Sequence, residues 1–141
     1  MKASIQAYQL IKNFEGLKLR SYSCPGGYKT IGYGHLVRNN NLDEINETQA
    51  EKLLTQDICE AEKSVLRNIQ VKLNQNQFDA LVSFVFNLGG ATLQRSSLKQ
   101  KINRHEDENI CKEWMRFVYS GGIKLQGLVR RRQEELEMFN H

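Results

Sequence analysis

A single proline stands in this chain of 141 residues, and no apolar run approaches the roughly 18 residues needed to cross a bilayer. The first scarcity excludes proline-rich and collagenous chains; the second excludes a membrane-spanning helix. Hydrophobic residues at 40% and charged residues at 26% also exclude a disordered chain, so one globular domain over residues 1–141 is expected. Cysteine is sparse and odd in number: Cys24, Cys59 and Cys111 are widely spaced, with no CxxC. His35, His105 and His141 stand at no zinc-ligand interval from them. Free thiols are expected, with no metal and no cofactor. Residues 1–16 offer neither an uninterrupted apolar stretch nor a small-residue cleavage site, so no signal peptide is expected.

Familiar catalytic signatures are missing too. There is no P-loop lysine motif, no HExxH and no GxSxG. Gly32 and Gly34 begin like a dinucleotide fingerprint but lack the third glycine. They read instead as letting a strand end bend beside a cleft. Acidic residues are absent from the whole stretch between Glu15 and Asp43.

What is present is mostly helical. The net charge of +4 suits either a polyanionic partner or simple solubility. Ser4 can cap a first helix in which Ile5, Tyr8, Ile11 and Phe14 recur at helical spacing, ending near Gly16. The period then changes. Pro25, Gly26 and Gly27 signal a turn, and Tyr28 to Tyr33 reads as a strand, predicting a β-hairpin. Asn46 with Gln49 resembles a capping box opening a helix whose apolar face is Ala50, Leu53, Leu54, Ile58, Ala61 and Val65. Phe78 to Leu88 is apolar nearly all round, predicting a central buried helix stopped by Gly89 and Gly90. Shorter helices are expected at 96–102 and 109–118, with a chain break at Gly121 and Gly122 and a last helix over 128–139. The expected class is α+β, predominantly helical.

Glu15 is the informative acid. It ends an apolar helix face, where the helix dipole disfavours a negative charge. Burial against apolar surface disfavours the charged form, so a carboxyl so placed holds its proton and can act as general acid. Arg130, Arg131 and Arg132 fall 100° apart on a helix and cannot form one flat patch. A nucleic-acid interface is therefore not expected from them. Packing, an ion pair with Glu134 or Glu135, and one cleft contact account for them better.

The run from Glu15 to Cys24, the spacing of eight residues to Cys24 and five more to Thr30, and the following Ile31-Gly32-Tyr33-Gly34-His35 resemble the phage-type lysozymes. These are endolysins of the T4 lysozyme-like glycoside hydrolases. The resemblance runs on through Thr48 to Leu54, Gln77 to Gly89 and Gly127 to Glu135. It implies a lysozyme-like fold with a small hairpin lobe, roughly residues 12–65, a helical lobe for the remainder, and a sugar cleft between them.

By position, Glu15 matches the catalytic acid, Cys24 the aspartate-or-cysteine position, and Thr30 the hydroxyl that positions water. Leu36, Phe86, Asn87, Ser97, Arg130 and Arg131 match substrate-contacting positions, with one of the two arginines facing Glu15. The implied activity is hydrolysis between N-acetylmuramic acid and N-acetylglucosamine in peptidoglycan. A monomer is implied, held in the bacterial cytoplasm until a holin-type membrane lesion releases it to the wall. The rival is a non-catalytic helical module binding glycan or nucleic acid. Cys24 stands where a second carboxylate is usual. A thiol is mostly un-ionised at neutral pH, a weaker charge stabiliser than aspartate but, once ionised, a better nucleophile.

Overall fold

A computed structural model describes residues 1–24, 27–38 and 42–141. Helix α1 spans Ile5–Glu15, and the Ser4 hydroxyl accepts from the Gln6 amide at its start. Ala7, Leu10 and Ile11 turn inward. Gly16 ends the helix at φ +69°, its N–H donating to the Lys12 carbonyl, so the chain turns sharply after Glu15. That turn is what leaves the acid at a helix edge.

Three antiparallel strands follow in the order β1 (Lys18–Ser23), β2 (Lys29–Gly32) and β3 (His35–Val37). Thr30 lies opposite Tyr22 on one side and Leu36 on the other. The hairpin foreseen is thus a three-stranded meander. β3 has only three residues, too few for an alternating pattern to register. Of the expected turn, Pro25 and Gly26 lie outside the described residues. Gly27 has φ +86°, a backbone region that favours glycine.

Helix α2, Glu47–Asn68, opens with the expected reciprocal capping box between Asn46 and Gln49. Its N-terminal Ala50 packs with Ile31 and Ile45 in a small core beneath the sheet, while Leu54, Ile58, Ala61 and Val65 join the larger helical core. Tyr33 touches both. Helix α3, Gln75–Leu88, runs through the larger core, with every residue from Phe78 to Val85 buried. Burying each large apolar side chain here contributes about 1.5–3 kcal/mol. Ser4 and Gln75 hold the buried Asp79 carboxylate, which ties the start of α1 to α3.

The second half departs from expectation in detail. Gly89, at φ +91°, does stop α3, but Gly90 opens the short helix α4, Gly90–Arg95. A Cβ at Gly90 would lie 2.3 Å from the Ser64 hydroxyl, so close packing on α2 explains this second glycine. Helix α5 is Ser97–Asn103, capped by Ser96, and α6 is Asp107–Trp114. The latter begins two residues earlier than expected, with Asp107 and Glu108 favourably placed in its first turn. Gly121 and Gly122, both at positive φ, form the tip of a minimal hairpin of β4 (Tyr119–Ser120) and β5 (Ile123–Lys124). Helix α7 then runs Gln126–Phe139 along α3.

Candidate active site

The Glu15 carboxylate is built from three directions. Helix α1 delivers it at its last residue, and Oε2 accepts a hydrogen bond from Arg131 of α7 at 2.6 Å. From the sheet, the turn after β2 closes on it: a Cβ placed on Gly34 would lie 2.6 Å from Oε1. Gly34 also has φ +78°, so both its conformation and the missing side chain suit this approach. Glu15 retains 20% side-chain exposure against 4% for Arg131. The acid is therefore not held by apolar packing alone, and the arginine expected to face it is Arg131. Phe14 supplies the apolar contact, with its ring 5.5 Å from the Arg131 guanidinium carbon, while the acid itself is ion-paired.

Behind this pair lies a buried charge network. Glu135, fully buried, accepts from Ser83 Oγ at 2.6 Å and Trp114 Nε1 at 3.0 Å, and pairs with both Arg131 and Arg132. Arg131 also donates to the Ser83 carbonyl at 3.3 Å. Arg132 is fully buried, stacked 5.3 Å over Phe84, and donates to Asn87 Oδ1 at 2.6 Å. Burial pushes its guanidinium down to about 10, with Arg131 adding to the fall and Glu135 opposing it. Arg132 therefore remains charged at neutral pH and depends on Glu135.

This network went unread in the sequence, apart from the expectation that Glu134 or Glu135 would take an arginine. Glu135 is the partner; Glu134 is exposed. A signal was available. Asp79, Ser83 and Asn87 recur every four residues through the otherwise apolar run from Phe78 to Leu88, a polar stripe that predicts buried partners.

On the sheet, Cys24 Sγ lies 3.4 Å from Thr30 Oγ1. Cys24 is half-buried rather than sealed in the core, whereas Cys59 and Cys111 are exposed thiols. His35 Nδ1 is 2.8 Å from Asp57 of α2, which anchors β3 to that helix and leaves the ring a structural role. Lys12 and Glu51 join α1 to α2 in the same way.

Two hollows flank the acid. A groove of about 350 Å³ is lined by Gly34, Leu36, Arg38, Phe86 and Gly89, among others. A second hollow of about 490 Å³ is lined by Glu15 itself with Asn87, Arg130 and Arg131. Of the six anticipated substrate contacts, Leu36 and Phe86 line the groove and Asn87, Arg130 and Arg131 line the hollow. Asn87 spends its carbonyl on Arg132, leaving its amide nitrogen for a ligand. Arg130 is exposed, and Arg131, not Arg130, faces Glu15. Ser97 is exposed at the first residue of α5, outside both linings. Among the described residues no cluster of three or more His, Cys, Asp or Glu side chains is placed to hold a metal ion.

Residues 12–135 match the family model for phage lysozyme. An endolysin of Acyrthosiphon pisum secondary endosymbiont phage 1 is 38% identical, over 99% of this chain and 98% of its own length. The endolysin of Bacillus phage B103 is 39% identical over 99% of this chain, which spans 54% of that longer protein. Among solved structures, the muramidase domain of SpmX from Asticaccaulis excentricus superposes with a TM-score of 0.91 at 31% identity, covering 99% of this chain and 98% of that one. A mutant of P22 lysozyme superposes at 0.85 and 27% identity, covering 100% and 99%.

Proposed function

The chain belongs to the phage lysozyme family, and from that premise we propose how its residues perform the work of a muramidase. It is a peptidoglycan-degrading glycoside hydrolase; a non-catalytic binding module is not favoured. The observation that carries the reading is the placement of Glu15. One carboxylate oxygen is fixed by Arg131, and the other, Oε1, has no hydrogen-bond partner among the described residues.

In this proposal the glycan lies between the sheet and the helices, the two lobes of a single domain, with Leu36 and Phe86 against its sugar faces. Glu15 gives its proton to the glycosidic oxygen as the bond to the anomeric carbon breaks. Water held by Thr30 and Cys24 adds its hydroxyl to that carbon, and its remaining proton restores Glu15 through solvent. In support, no carboxylate lies between Glu15 and Asp43, and the hydroxyl and thiol are 3.4 Å apart. The net charge of +4 holds the enzyme on an anionic wall. Among the described residues no helix is long and apolar enough to cross a membrane. We place the enzyme as a monomer in the host cytoplasm, reaching the wall through a holin-type lesion.

Turbidity clearing of peptidoglycan-exposed cells tests the mechanism. Glu15→Gln removes the proton but keeps the shape, and should lower turnover at least about 10²-fold, the usual range for general acid catalysis being 10²–10⁴. Wild-type clearing by a folded Glu15→Gln protein sinks it.

A further inference from the structure

Ser64 of α2 and Gly90 of α4 line the groove that holds Leu36 and Phe86, and both also line a further hollow that the cutting of glycan does not use. A Cβ at Gly90 would lie 2.3 Å from Ser64 Oγ, so α4 sits tightly on α2 and the two make a common wall. Arg67 and Asn68 of α2, Gln94 of α4 and Lys99 of α5 complete the hollow's polar lining. It shares no residue with the hollow beside Glu15. Its volume of about 520 Å³ lies within the common range for small-ligand sites, roughly 300–1,000 Å³.

Its charge is of one sign. Arg67 and Lys99 line it and no carboxylate does, and neither cation has a carboxylate within 4 Å among the described residues. Arg67 Nη2 donates to Ser64 Oγ at 3.2 Å, which holds the guanidinium over the common wall. Asn68 is only 7% exposed. Its Nδ2 donates to the Ser64 carbonyl at 2.8 Å, while its Oδ1 meets no donor among the described residues. An amide oxygen so enclosed ordinarily has a partner, and a ligand hydroxyl supplies one.

A guanidinium fork, an ammonium and a serine hydroxyl offer more donors than the two oxygens of a carboxylate can use, and suit the oxygens of a phosphate. The unpaired Asn68 oxygen and the Gln94 amide stand beside them and call for hydroxyls on the same molecule. We propose that the hollow between α2, α4 and α5 binds a phosphorylated polyol, the chemistry of an anionic phosphodiester polymer of the wall. This rests on the wall-retention reading and deepens it. The enzyme is held at a site by two placed cations, not by a diffuse net charge of +4.

The first probe is glycerol 3-phosphate, titrated into the full chain and read by amide shifts. Shifts should saturate and centre on Ser64, Asn68, Gly90 and Lys99, with inorganic phosphate at least threefold weaker and acetate at least tenfold weaker. Arg67→Gln combined with Lys99→Gln should weaken glycerol 3-phosphate at least tenfold while Tm holds. Lys2→Gln combined with Lys112→Gln removes the same charge from exposed positions elsewhere and is the control. Retention is then read by co-sedimentation with cell walls in a Glu15→Gln background, at about 0.15 M salt, where screening acts over about 8 Å. The Arg67 and Lys99 changes should lower binding to walls bearing the phosphate polymer at least fivefold relative to the control pair, and the two should match on walls stripped of it. Equal loss for both pairs, shifts absent from the hollow, or equal affinity for inorganic phosphate overturns the proposal. Phosphatidylglycerol vesicles carry the same group on a lipid, and tighter binding there than to the walls overturns the assignment to the wall. Glu15→Gln protein that stays off both kinds of wall overturns the retention reading instead, and the amide shifts still decide the hollow.

Discussion

Replacing Glu135 by glutamine tests the network behind the acid with almost no change of shape. Four donors converge on its two buried oxygens, from Ser83, Trp114, Arg131 and Arg132. The amide removes the negative charge between two guanidiniums and turns one acceptor into a donor that faces other donors. Removing one partner of a buried ion pair costs about 3–5 kcal/mol, because the remaining charge stays buried without compensation. Glu135 at 0% exposure and Arg132 at 0% leave no route to solvent without unpacking α3 from α7. At roughly 4 °C per kcal/mol for a domain of this size, Tm should fall by about 12–20 °C. Thermal unfolding followed by circular dichroism, with urea melts for the slope, gives the measurement. Glu134→Gln, an exposed neighbour, should stay within about 0.5 kcal/mol and serves as the control. A Tm loss below about 4 °C for Glu135→Gln, at an unchanged urea slope, would refute the argument that Glu135 neutralises this arginine pair.

Other expectations follow from single contacts. Gly34→Ala places a methyl group 2.6 Å from Glu15 Oε1 at φ +78°, so clearing activity should drop at least tenfold. In a Glu15→Ala background the collision disappears, and the Tm penalty should shrink to that of left-handed backbone strain, about 1–2 kcal/mol. With Cys59 and Cys111 changed to serine, Cys24→Asp should remain active, since aspartate can orient the same water, and Cys24→Ala should lose activity beyond any change in Tm. Full activity of Cys24→Ala there makes the thiol a bystander. The hydrogen bond to Glu51 raises the Lys12 ammonium above its ordinary 10.5, so its contribution is complete below pH 10.5 and fades as pH climbs through the raised value. The pair is partly exposed and contributes under about 1 kcal/mol, so Lys12→Met should slightly flatten the alkaline decline in urea stability above pH 10.5.

The helices were legible because their signals are local. Ser4, Asn46 and Gly16 are read from a few neighbours, and the apolar stripe of α2, Ala50 to Val65, spans about four turns. The short strands were not, since β3 and the β4–β5 hairpin have too few residues to show a period. At the site, Glu15, Cys24 and Thr30 fall in one short stretch from the end of α1 to β2, so their spacing was visible as a resemblance to the family's pattern. Arg131 was narrowed only to one of two, because its partner lies 116 residues away. Adjacent residues on a helix differ by 100°, and register decides between them. Arg132 was missed for a further reason. A charged residue with no exposure is the rarest outcome for arginine, and only the polar stripe on α3 hinted that α7 would bring one to it.

The bond between Glu15 and Arg131 also sets a clock on synthesis. The acid is made before its cation, which follows 116 positions later. At about 5–20 residues per second, roughly 6–23 s separate the two. Throughout that interval a nascent chain carries the carboxyl without the contact that fixes it, and α3 without the helix that meets Ser83 and Asn87. A chain halted before α7 therefore has no assembled site. Competence arrives in one step, when α7 docks, so copies of a wall-cutting enzyme that lack this helix have no assembled site.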